Sequence, residues 1–165
     1  TIKDDELKAG LSRLSRTLDT LDPVLRDMGE YLIQATKERF PEGVSPDGRA
    51  WMPKSQATVE AYRSREAKSR NASIDFRPLF GPSGRLSNEI QYQVGPASVE
   101  WGSNLIYAAV QQFGASKGAF GTARNGTSIP WGTIPARPFI GVSDEDETAL
   151  VDLIEDWLQL AAGSS

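Results

Sequence analysis

Leu7, Leu11, Leu14, Leu18 and Leu21 recur at spacings of four, three, four and three, so a helix over 4–21 carries them as one apolar stripe. Asp4, Asp5 and Glu6 stand where the positive end of its dipole favours acids. Asp22-Pro23 then offers an N-cap followed by proline at the first helical position. Leu25, Met28, Leu32 and Ala35, with Val24 and Tyr31 at their edge, predict a second helix. Together the two stripes predict a helical hairpin over about 4–39. A coiled coil suits the same periodicity, although fewer than three heptads in each helix favours packing within the chain.

Phe40-Pro41-Glu42-Gly43 through Pro46-Asp47-Gly48 reads as a loop, with Trp51 and Pro53 as a bulky anchor beyond it. Ser55 or Thr58 starts a third helix, running to about Lys68. After a turn over Leu79–Gly84, Ile90, Tyr92 and Val94 alternate with polar residues as a half-buried strand. Gly95-Pro96 breaks it, and Val99-Glu100-Trp101 begins its antiparallel partner. Tyr107–Phe113 is a short helix stopped by Gly114. Pro138–Val142 reads as a further strand of the same sheet. Ser143 caps a last helix over about 143–162, with acids at 144–147 and a stripe of Leu150, Ile154, Trp157 and Ala161 widened by Leu153, Leu158 and Leu160. The expected fold is α+β: a single domain over 1–165, with the helical hairpin and the C-terminal helix packed on a small, mainly antiparallel sheet.

Two cassettes bracket the least anchored part of the chain. Tyr107-Ala-Ala-Val-Gln-Gln-Phe-Gly114 precedes it and Ile134-Pro-Ala-Arg-Pro-Phe-Ile-Gly141 follows. Residues 115–133 hold Gly118, Gly121, Gly126 and Gly132, with Phe120, Ile129 and Trp131 as the large groups. A long flexible loop held at both ends suits docking better than chemistry. Phe120, Ile129, Trp131, Arg137 and Phe139 are therefore the candidate partner or oligomer contacts, since aromatics and Arg dominate such interfaces.

Composition narrows the function classes. The chain has no Cys and no His, which removes thiolate and imidazole catalysis and every zinc site built from those ligands. No run of apolar residues is long enough for a membrane helix, and the charged first six residues lack the apolar stretch of a secretory signal. Net charge is −4, against a dedicated binder of duplex DNA. Arg63, Arg65, Lys68, Arg70 and Arg77 nevertheless outnumber Glu66 and Asp75 locally. That stretch is either a solvated face or, through Arg63, Arg65, Lys68 and Arg70, a candidate DNA-facing surface. Gly81-Pro-Ser-Gly84-Arg85 lacks the spacing and the Gly-Lys-Ser/Thr ending of a phosphate loop. Helix capping accounts for the acids at 144–147 without a metal, and no catalytic residue, cofactor or metal is expected.

Taken in order, the motifs resemble the bacteriophage virion morphogenesis, or tail completion, family. The resemblance rests on the N-terminal helical pair, Pro46-Asp47-Gly48-Arg-Ala-Trp51-Met-Pro53, Leu79 with Ser83-Gly84-Arg85-Leu86, the two cassettes, and the acidic C-terminal helix. It covers nearly the whole chain, with the basic loop after the third helix diverged at 64–78. What the resemblance implies is a structural protein that completes or terminates the tail and joins it to the DNA-filled head. It implies a homo-oligomeric ring, often of six, contacting tail tube and neck or connector proteins at the head-proximal end of the virion tail after assembly in the host cytoplasm. The alternative is a nucleic-acid-binding phage protein using the basic 63–85 region.

Overall fold

The computed structural model describes residues 21–66, 75–81 and 83–163, together with Lys8, Gly10 and Ser12. The helix expected over 4–21 therefore lies outside the described residues, apart from those isolated positions and Leu21. Helix α1 (Asp22–Glu42) is the spine of the molecule. Val24, Leu25, Gly29, Leu32, Thr36, Arg39 and Phe40 are buried along it, a spacing of three and four that turns one face inward. Asp22 is not the cap that the sequence suggests. It lies inside the first turn, after Leu21, and its carboxylate accepts from Arg26 Nε at 2.6 Å. The helix also outruns its expected end. Pro41 falls in the last turn, where the hydrogen bond it forfeits has little helix beyond it to disturb. Gly43, at φ +72°, then closes the helix by donating to Arg39 O at 2.8 Å.

The sheet is an antiparallel hairpin of β1 (Ile90–Val94) and β2 (Val99–Ser103), paired from Ile90–Ser103 to Val94–Val99. It packs on α1 through Gly29, where a Cβ would stand 2.3 Å from Tyr92 Cδ2. Only glycine permits that approach. Trp101 Nε1 donates to Thr36 Oγ1 at 3.2 Å on the same face. The fold is thus α+β, with fewer strands than the sequence suggests.

Helix α2 (Gln56–Glu66) begins at Ser55, whose Oγ accepts from Thr58 N at 3.3 Å. A single-turn helix, α3 (Arg85–Asn88), leads into β1, and α4 (Ala108–Phe113) follows β2. Phe40, Trp51, Leu86, Ile90, Ala108 and Phe139 form the core. The Phe40 ring meets Trp51 edge-on at 5.5 Å between centroids and lies 5.6 Å from Phe139, separations at which the ring quadrupoles attract.

Helix α5 (Asp144–Gly163) starts as expected. Ser143 Oγ accepts from Asp146 N at 3.1 Å, and Asp146 Oδ2 accepts from Ser143 N at 2.7 Å, a reciprocal capping box. Its expected buried stripe is corrected: Leu150, Leu153, Trp157 and Leu158 are half-buried, while Val151, Ile154 and Leu160 are exposed. Among the described residues of α5, Asp146 is the buried one. It forms an ion pair with Arg39, and Tyr31 OH donates to its other oxygen at 3.2 Å. Arg39 Nη1 also donates to Phe139 O at 3.2 Å and Gly141 O at 2.8 Å. These bonds neutralise the buried charges and join α1, α5 and the chain between them.

Candidate assembly surface

The two cassettes are one unit in space. Gln111 O accepts from Arg137 N at 2.8 Å. The Gln112 carboxamide accepts from Phe139 N at 2.9 Å and Ile140 N at 3.0 Å, and donates to Ile140 O at 2.8 Å. Trp51 Nε1 donates to Pro138 O at 2.8 Å. Residues 138–142 are therefore not a strand of the sheet. Pro138 O, the N and O of Phe139 and Ile140, and Gly141 O pair with the side chains of Trp51, Gln112 and Arg39 where a ladder partner would otherwise stand.

Gly114 brings the cassettes together. Its φ of +73° and ψ of 178° suit glycine, and a Cβ there would lie 2.7 Å from Ile134 O and from Ala136 N. Immediately beyond it, Ala115 and Ile134 exchange backbone hydrogen bonds at 2.9 and 2.8 Å. This bridge closes the base of the 115–133 segment.

The segment itself is more ordered in its bonding than its composition suggests. Phe120 N donates to Ile129 O and Ile129 N to Gly121 O, each at 2.8 Å, and Ala123 N donates to Thr127 O at 2.8 Å. Thr122 and Ser128 form a further bridge. The backbone thus folds on itself as an irregular hairpin, because its groups find partners across the turn although its side chains do not pack. Phe120 is 58% exposed, Trp131 66%, and Ile129 is exposed as well.

Two of the expected contact residues sit elsewhere. Phe139 is 1% exposed and belongs to the core. Arg137 is 7% exposed and donates to Met52 O at 2.7 Å and Pro53 O at 2.9 Å. Burial alone holds its pKa below the ordinary arginine value. Both residues are held inside the cassette, Phe139 in the core and Arg137 by its bonds to Met52 and Pro53. Arg63 and Arg65 are exposed on α2, whereas Lys68 and Arg70 lie outside the described residues. Nearby positive charge is locally engaged: Arg77 pairs with Asp75 at 2.5 Å and Arg85 with Glu89 at 2.6 Å.

The sequence reading missed Ile106 and Phe113, 95% and 77% exposed at either end of α4. Ile106 lies in the turn before α4 and Phe113 is its last residue. Counting which face of the cassette had no apolar partner would have found them. Met52, exposed beside Arg137's acceptors, adds to the apolar surface.

No three acids, the potential metal ligands in a chain without His or Cys, converge among the described residues. At 144–147, Asp146 turns inward to Arg39 while its neighbours are exposed. No helix of the described residues is long and apolar enough to cross a membrane.

Comparison with known proteins agrees with the order of motifs. The chain is similar to the Mu-like prophage FluMu G protein 2 of Haemophilus influenzae, 26% identical over 155 residues that cover 94% of this chain and 91% of the relative. No solved structure matches. The phage virion morphogenesis family matches over residues 2–159, nearly end to end, and the chain belongs to that family.

Proposed function

We propose that this protein completes or terminates the phage tail and joins it to the DNA-filled head, as a homo-oligomeric ring of about six subunits. The observation that carries the reading is the cross-tied pair of cassettes, which holds the base of a loop whose large side chains, Phe120, Ile129 and Trp131, face outward. On a chain of a virion morphogenesis family, such exposed aromatics are the groups a virion partner would cover. Its neighbours would be further copies of itself, the tail tube and the neck or connector proteins, and its work requires no bond to be made or broken.

Ordering the loop against a partner costs about 1–2 kcal/mol per residue of backbone entropy where it is free to move beforehand. A single contact therefore stays weak, and repetition around a ring supplies avidity. The test is imaging of the purified protein by negative stain, with limited proteolysis of free protein and of finished particles. Rings are expected, with cleavage within 115–133 in the free subunit and protection in the particle. Single subunits that never appear in virions would overturn the reading.

A second reading is passing contact with DNA through Arg63 and Arg65, supported by their exposure on α2. Reversing both charges would lower DNA retention without changing the fold; unchanged particle yield and infectivity would remove it.

A further inference from the structure

Beside the loop base lies a groove of about 720 Å³. Thr58 and Tyr62 of α2 form one wall, Phe80 the next, and Trp131 and Ile134 the arm opposite. Among the described residues no carboxylate lines it, and the charged ones are Lys54, Arg85 and Arg137. Arg85 is matched by Glu89. Arg137 donates to the carbonyls of Met52 and Pro53, and Lys54 Nζ to those of Asp75 and Arg77. These are neutral acceptors, so the groove carries positive charge on an apolar floor. Burial lowers the pKa of both groups; at Lys54 the Asp75 charge opposes that effect and the Arg137 and Arg77 charges add to it.

Helix α5 has the complementary character. Apart from inward-facing Asp146 it carries Asp144, Glu145, Glu147, Asp152, Glu155 and Asp156, and no basic residue. Val151 and Ile154 are exposed among those acids. We propose that the groove of one subunit receives the acidic, apolar-striped face of α5 from a second copy of this chain. Val151 and Ile154 would fill the apolar floor while Asp152 and Glu155 face Lys54 at the rim. Groove and helix are different patches of one molecule, so the contact is head-to-tail, and its repetition closes a ring or extends a filament. The inference rests on the ring reading and supplies its interface.

The test reverses each face separately. A groove variant, Lys54→Glu with Ser83→Glu, and a helix variant, Asp152→Lys with Glu155→Lys, are compared with wild type by analytical ultracentrifugation. The helix changes lie at exposed positions, and circular dichroism checks that each variant folds. Each reversal is expected to weaken self-association roughly tenfold or more. Mixing the two variants, or combining both reversals in one chain, is expected to restore it. Because the chain has no cysteine, Thr58→Cys with Val151→Cys places the only two thiols, and oxidation should give a ladder of linked subunits.

Wild-type rings that both reversals leave intact would overturn the groove assignment while keeping the ring. A wild type that stays monomeric at every concentration overturns both. A disulfide closing within one chain, or salt-sensitive binding of duplex DNA that Ser83→Glu abolishes in a monomeric protein, would assign the groove to another occupant.

Discussion

The side-chain amide of Gln112 pairs with the main-chain amide of Ile140 as one strand pairs with another, accepting at 3.0 Å and donating at 2.8 Å. The same oxygen also accepts from Phe139 N at 2.9 Å. One residue of α4 thereby replaces a strand that the sheet does not have. Gln112→Ala should cost about 2–4 kcal/mol, because partly buried backbone groups lose partners that they cannot regain from each other. Urea unfolding measures this, and Gln112→Glu, which loses the donor but keeps an acceptor, should fall no nearer to wild type than about half that loss.

Arg39 and Asp146 should behave as a unit. Removing one partner, as in Arg39→Met or Asp146→Asn, should cost about 3–5 kcal/mol by leaving a buried group unmatched. Replacing both should cost less than the sum of the two single changes. A double-mutant cycle in thermal unfolding checks this; strict additivity would mean that the pair is not coupled.

Gly114→Ala tests the junction of the cassettes. Its backbone angles suit glycine, and the new methyl would meet Ile134 O and Ala136 N. A loss of about 2 kcal/mol or more is expected, with amide exchange rising at Ala115 and Ile134, whose backbone groups bridge the loop base. Gly43→Ala, at φ +72° with nothing within 4 Å of its Cβ, isolates the backbone part of that penalty.

Alkaline pH should separate Tyr31 from Tyr31→Phe. Burial, and after it the Asp146 charge, raises the Tyr31 phenol above its ordinary value of 10.0. The folded state then holds its proton more tightly than the unfolded state does. The resulting stability is complete below pH 10 and is lost as pH rises through the folded-state value. Wild type should therefore lead Tyr31→Phe at pH 8, and the gap should narrow above pH 10. A constant gap across urea midpoints from pH 8 to 11 would mean that the phenol does not feel this environment.

Much of the fold was legible where local pattern and tertiary use coincide. The alternation of Ile90, Tyr92 and Val94, the stripe of α1, the Pro46-Asp47-Gly48 turn and the Ser143 cap each follow from rules acting over a few residues. Pro138–Val142 was misread because its composition suits an extended backbone, and composition cannot say whether the hydrogen-bond partner is a strand or a side chain. The partnership of Arg39 with Asp146 spans 107 residues and leaves no local trace. The loop was recognised as a place of exposed aromatics, but its internal bonding was not, since pairing across an irregular turn needs no apolar alternation. Arg137 and Phe139 look like interface residues by type; only the packing around Trp51 and Met52 shows that they face inward.

Asp146 is at once the third residue of α5, the acceptor that closes its capping box, and the counter-charge of Arg39. The helix is thus clamped at its first turn, while Val151, Ile154 and Leu160 farther along remain exposed. Mechanically, the charge pair pins the first turn to the spine, and half-buried Leu150, Leu153, Trp157 and Leu158 hold the helix beyond it. Arg39 carries that tie onward through its bonds to Phe139 O and Gly141 O, so the start of α5 and the second cassette are anchored by one side chain.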